Sequence, residues 1–234
     1  MSDNAMLIEG TAWYLVFLFS TTVHEASHAL AAWKLGDDTA YRGGQVSLDP
    51  TPHIRREPFG MVVAPIISFF AGGWMIGWAS APYDVLWARQ YPKRAAWMAV
   101  AGPASNFALV IVAAAAIHLG LAVGLFQHAN AITPIHLIDT ASTGIGHAMG
   151  MLISLFFSLN LLLFTFNLLP CPPLDGSSIV TLFLPDSMAE KFREAAHSPV
   201  FSLIGFIVAW KLFGVIYPLV QSFAITCLFP GLYR

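Results

Sequence analysis

Five stretches of this chain are apolar over twenty residues or more, each bounded by charged or turn-forming positions. Ala12 to Trp33 is interrupted by one polar cluster and, at about 1.5 Å per residue, is long enough to cross a hydrocarbon core roughly 30 Å thick. Residues 34–60 then carry Lys34, Arg42, Arg55 and Arg56 with Gly43, Gly44, Pro50, Pro52 and Pro58, a composition that breaks helices; it predicts an interfacial loop with a β-hairpin around Tyr41 to Leu48. The run Phe59 to Ala81 is punctuated by Pro65, Gly72, Gly73 and Gly77 and leads into a second basic loop with Arg89, Lys93 and Arg94. Basic loops favour the same, inner side of a membrane, so residues 61–80 are expected to enter and return rather than cross.

Two further runs, 95–126 and 148–169, flank a linker with no Lys or Arg, expected to be external; a polar helix over 186–197 reads as cytoplasmic. The last run, Val200 to Phe229, contains Lys211, which must snorkel or line a polar cavity. The expected fold is an all-α polytopic membrane protein of four to five transmembrane helices, with a re-entrant segment and a small membrane-associated β element. Four spans put both termini outside. The chain is expected to be one domain, with a core at about 7–185 and a C-terminal helix at about 186–234. Neither a cleaved leader nor an appended regulatory domain is expected.

Composition agrees with a lipid environment and excludes a water-soluble globule: 57% of the 234 residues are hydrophobic, 10% are charged, and mean hydropathy is +0.68. A net charge of −2 with scattered cations gives no patch for nucleic acid. Cys171 and Cys227 form no disulfide framework.

Scarce charge makes the polar cluster of the first span conspicuous. His24-Glu25-Ala26-Ser27-His28 fits His-Glu-x-x-His. Four helical residues turn through about 400°, so both imidazoles project from nearly one face and can hold one Zn²⁺, with Glu25 about 100° round, placed to take a proton from the attacking water. A buried His/Glu hydrogen-bond network is the alternative. Zinc needs a further protein ligand. Asp175 is a candidate, because it closes the stretch 167–176, where Pro170, Pro172 and Pro173 force the chain out of helix near membrane depth, a backbone tolerated where it lines a cavity. Asp175 could equally be the N-cap of a helix starting there.

These two motifs, in this order and both in apolar surroundings, resemble the site-2 protease family of intramembrane zinc metalloproteases, in particular its compact bacterial and archaeal members. The resemblance implies that His24, His28 and Asp175 hold one Zn²⁺ per chain and that Glu25 activates water. It implies that Asn167, eight residues before Asp175, orients substrate or stabilises the oxyanion, a helix C-cap being the other reading of Asn167. Gly102, Pro103 and Asn106 resemble the family's G-P-x-x-N motif and are expected to support the site structurally. Gly77-Trp78-Ala79-Ser80-Ala81-Pro82 and Leu48-Asp49-Pro50 to Ile54 resemble further family segments, with Ser80 where Lys is usual and Asp49 where Asn is usual, changes that bear on substrate contacts. The implied substrate is a transmembrane protein. The extended, Gly/Pro-punctuated composition at 41–48 and 77–83 separately suggests a strand edge that captures its unwound segment by β-addition. The implied setting is a prokaryotic cytoplasmic membrane with the active site toward the cytoplasm.

A metal or ion transporter using the same His/Asp site, or a catalytically silent scaffold, are the competing functions. The absence of inverted repeats and the intact motif residues weigh against them. His118, His128, His136 and His147 are expected in surface or cap roles, His53 is not expected to be a ligand, and His197 reads as a helix C-terminal residue.

Overall fold

The computed structural model describes residues 3–140, 144–196 and 198–232; His197 lies outside them. Helix α1 (Asp3–Leu35) is 33 residues long and has no proline to interrupt its hydrogen bonds. Its C-terminal end is followed by two short helices, α2 (Thr39–Arg42) and α3 (Thr51–Arg56), where the sequence suggested a hairpin. The expectation of strands at Tyr41 to Leu48 is therefore corrected, and local hydrogen bonding explains why. Asp37 Oδ1 accepts from Thr39 N at 3.0 Å and from the Thr39 hydroxyl at 2.5 Å, which starts a helical turn. Arg42 then pairs with Asp38 one turn back at 2.7 Å. Gly44, at φ +74°, turns the chain before any alternating pattern can develop.

A π-helical turn, Phe59–Val63, runs into α4 (Ala64–Gly72). Together they make fourteen residues of helix, about 21 Å and short of a 30 Å core. Gly73, left-handed at φ +75°, ends α4. The chain then comes back to where the helix began, with Trp78 N donating to Gly60 O at 3.1 Å. Gly60 and Gly77 permit this approach: a β-carbon on Gly77 would lie 2.4 Å from Gly60 O, and one on Gly60 2.3 Å from Trp78 O. Entry and return thus occur at one end of the element, as a re-entrant segment requires. The returning stretch at 75–84 pairs with no strand among the described residues.

Helix α5 (Val85–Gln90) is capped by Asp84, which accepts from Leu86 N at 2.7 Å. The long α6 (Pro92–Ala122) follows, with Pro103 inside it. Strands β1 (Phe126–Thr133) and β2 (His136–Thr140) form an antiparallel hairpin, pairing Phe126 with Thr140 and His128 with Ile138, with an irregularity before the Thr133–His136 pair. The small β element thus lies in the linker read as external. Next come α7 (Ile145–Asn167), α8 (Asp175–Val180) with a 3₁₀ turn at Thr181–Phe183, α9 (Asp186–Ala196) and α10 (Pro199–Leu228).

Among the described residues, α1, α6, α7 and α10 are the four helices long and apolar enough to span a membrane. Helix α6 packs against both α1 and α7, which also meet each other. Three apolar clusters hold the assembly. Val110, Ile117, Phe157 and Leu161 bury Phe126, Leu137 and Ile138 of the hairpin. Trp13 and Phe17 meet Phe69, Met75 and Leu159, fixing the re-entrant element to α1 and α7. Leu169, Cys171 and Leu174 pack on Ala209 of α10. Most of α10 is exposed, Lys211 included, so its flank is left to lipid.

Candidate metal centre

His24, Glu25 and His28 are all buried in the uninterrupted middle of α1. Their spacing does what helical geometry requires: the two imidazoles stand edge to face, ring centroids 4.7 Å apart, with their Nε2 atoms 3.0 Å from each other.

Asp175 reaches this pair from the far side of the sequence. Leu168 caps α7, and the proline-rich segment beyond it closes through short turns, Cys171 N to Leu169 O at 2.8 Å and Leu174 N to Cys171 O at 2.9 Å. Helix α8 begins with Asp175 as its first residue and Leu174 as its N-cap, so the expected alternative of Asp175 as N-cap is corrected. With no capping duty, its carboxylate turns to α1: Oδ2 lies 3.1 Å from His24 Nε2 and 3.3 Å from His28 Nε2. Gly176 makes the approach possible. A β-carbon there would meet Leu169 O at 2.3 Å and Leu168 O at 2.4 Å.

The donor set fits a zinc ion. His28 Nδ1 lies 2.8 Å from Met98 O, and His24 Nδ1 lies 2.5 Å from Asn106 Oδ1. Both partners are acceptors, so each Nδ1 carries the proton and each Nε2 turns a bare lone pair inward. Two lone pairs and a carboxylate oxygen, mutually 3.0–3.3 Å apart, call for a cation. A tetrahedral zinc with bonds of about 2.0–2.1 Å has ligand-to-ligand edges of about 3.3 Å. Space for the ion is left by Gly102 of α6, where a β-carbon would stand 2.3 Å from His28 Nε2 and 2.5 Å from His24 Nε2. Among the described residues this is the one group of three His, Cys, Asp or Glu side chains close enough to share a metal.

Glu25 makes no hydrogen bond to a described residue, and it faces a cavity of about 770 Å³ that also contains the His/Asp cluster and Asn167. Asn167 is the last residue of α7 and donates one amide hydrogen to Leu163 O at 3.1 Å, leaving its second for a ligand. The buried Thr21 hydroxyl, one turn before Glu25, lines the same cavity with no hydrogen-bond partner among the described residues. Tyr83 and Arg193 line it too; burial raises the pKa of the Tyr83 phenol, which stays protonated.

The triad named from sequence is thus assembled, Glu25 stands beside it, and Gly102 and Asn106 touch it. The Met98 carbonyl, Thr21 and Asn160 were missed. A carbonyl has no sequence signal, whereas Asn160, a carboxamide within an apolar run, could have been singled out as an intramembrane polar residue. The other described histidines stay apart: His136 pairs with Asp139 at 2.9 Å on the hairpin, and buried His53 lies 3.2 Å from Ser47 O.

Apolar spanning helices around a His/His/Asp centre with an adjacent glutamate define an integral membrane protein with the site of a zinc metalloprotease. Residues 12–212 match peptidase family M50, and the chain belongs to that family, the site-2 proteases. It is 32% identical over 203 residues to a Bacillus subtilis protein named "Putative zinc metalloprotease YwhC", which covers 86% of this chain and 80% of the relative. It is 30% identical over 209 residues to "Putative zinc metalloprotease Rip2" of Mycobacterium tuberculosis, which covers 86% of this chain and 70% of the relative. No solved structure gives a significant match.

Proposed function

We propose that this zinc metalloprotease is an intramembrane endopeptidase that hydrolyses peptide bonds in or near the transmembrane segments of membrane-anchored proteins. In this reading His24, His28 and Asp175 hold the ion, Glu25 is the general base, and Asn167 steadies the oxyanion. The observation that carries it is the opening of Glu25 and the His/Asp cluster onto one cavity between spanning helices. From Trp33 at the end of α1 back to His24 is about 14 Å of helix, so the chemistry lies within the hydrocarbon layer.

A zinc ion held here supplies Lewis acidity that polarises the scissile carbonyl and acidifies the attacking water. Glu25 accepts the water's proton at its free carboxylate and returns it to the leaving amine. The second amide hydrogen of Asn167 serves the oxygen on which charge develops. An intact helix hides its carbonyls in hydrogen bonds, so the substrate must unwind locally. The returning stretch of the re-entrant element offers an edge for it: the amides of Ile76 and Trp78 are occupied by Ser68 Oγ and Gly60 O, whereas those of Gly77, Ala79 and Ala81, which alternate with them, make no backbone hydrogen bond among the described residues. Nine of the eleven Lys and Arg residues fall in 34–94 and 191–193, which supports a cytoplasmic membrane location with the site nearer the cytoplasm.

The test is Glu25→Gln in proteoliposomes carrying a single-span substrate. Zinc content should equal that of the wild type while cleavage falls by about 10²–10⁴-fold; undiminished cleavage would overturn the assignment.

A further inference from the structure

Buried polar groups in a membrane bundle are costly unless every hydrogen bond is made, and beside the metal centre three of them, Ser20, Asn106 and Asn160, are fully buried and linked in one chain. The chain has a direction. Phe156 O can only accept, and Asn160 donates to it through Nδ2 at 2.8 Å. The same Nδ2 donates to Ser20 Oγ at 2.9 Å. The oxygen of Asn160 must therefore be the atom facing Asn106, and it accepts from Asn106 Nδ2 at 2.9 Å. That in turn leaves Asn106 Oδ1 against His24 Nδ1. Reversing either carboxamide would set donor against donor or acceptor against acceptor at these links.

We infer that Asn160 is a positioning residue for the metal centre: acting through Asn106, it fixes His24 in the Nδ1–H tautomer, so that the Nε2 lone pair faces the ion. The inference rests on the reading of His24, His28 and Asp175 as zinc ligands. It adds a residue on α7, distant in sequence from the three ligands and hydrogen-bonded to Asn106, Ser20 and Phe156 rather than to any of them. The grip on α1 is double, because Ser20 and His24 lie one turn apart on the same helix face. It is also asymmetric. His28 is oriented by the backbone carbonyl of Met98, which no side-chain substitution removes, whereas His24 depends on two carboxamides.

The experiment measures zinc affinity in detergent by competition with a chromophoric chelator, alongside thermal unfolding of the zinc-free protein. Asn160→Leu removes the acceptor that orients Asn106, and zinc affinity should fall about 10–100-fold, the usual cost of losing an outer partner of a metal-bound histidine. Asn106→Asp needs no orienting because its two oxygens are equivalent. The Asn106→Asp/Asn160→Leu double variant should therefore recover most of the lost affinity without recovering stability. Should Asn160→Leu fail to fold, Asn160→Ala, which leaves space rather than an apolar branch, replaces it in both arms. A purely structural amide pair predicts the opposite split: unfolding shifts, while zinc affinity per folded molecule stays at the wild-type value in the Asn160 variant. That result overturns the inference. Failure of the underlying metal reading is distinguishable, since it would appear as zinc binding that survives His24→Ala at the wild-type affinity.

Discussion

Gly102 stands so close to His28 that a β-carbon on the glycine would lie 2.3 Å from Nε2, the same nitrogen that lies 3.3 Å from Asp175. A methyl group at residue 102 would therefore stand against both imidazole nitrogens, where the ion has to sit. Gly102→Ala should lose stoichiometric zinc and all cleavage, while the zinc-free protein still elutes as a folded species. Metal analysis of the purified variant checks this; full zinc occupancy would show that the ion sits elsewhere.

Gly176 has the same kind of role at one remove. Its β-carbon would strike the carbonyl oxygens of Leu168 and Leu169. Backbone oxygens cannot move aside as side chains do, so Gly176→Ala should destabilise the fold by about 1–3 kcal/mol and draw Asp175 away from the histidines. Thermal unfolding and zinc competition on one sample should move together.

The returning stretch gives a prediction about substrate rather than metal. Proline at Ala79 removes one amide from the edge offered to an unwound substrate, a loss of about 0.5–1.5 kcal/mol. Ala79→Pro should lower kcat/KM for a membrane substrate by about two- to tenfold with unchanged zinc content. Equal rates would remove strand addition from the mechanism.

Zinc also bears on stability, because the three ligands come from two separate parts of the chain. Free zinc at a hundredfold excess over its dissociation constant should add about 2.7 kcal/mol to unfolding. Stripping it with a chelator should lower the melting temperature and abolish cleavage, and both should return on adding zinc. His28→Ala should melt at one temperature with or without the metal.

The site was legible to the extent that it is written in spacing. His24 and His28 are four apart on a helix, and that alone puts them on one face. Asp175 was legible through the prolines that end the helix before it, but not its freedom from capping, because Leu174 takes that position. The glycines and prolines of 34–60 predict a hairpin around Tyr41 to Leu48, yet Asp37 and Asp38 organise a helical turn there first. The actual strands, Phe126–Thr133 and His136–Thr140, lie in a stretch whose histidines and polar residues read as a loop; what makes them strands is the burial of Phe126, Leu137 and Ile138 on α6 and α7, a long-range contact with no local signature. Asn160 carries a signal of its own, a carboxamide within an apolar run, but its role does not show in local spacing, because its partners lie 54 and 140 residues away.

Met98, Gly102 and Asn106 are one helical turn apart along a single stripe of α6, and each meets a histidine of α1: one orients His28, one leaves room for the ion, one orients His24. A rotation of α6 by one residue, about 100°, would lose all three at once. Metal capture is thereby a test of assembly. A chain in which α6 and α1 have not docked in register has no place to hold zinc, and so a half-inserted protease is an inert one.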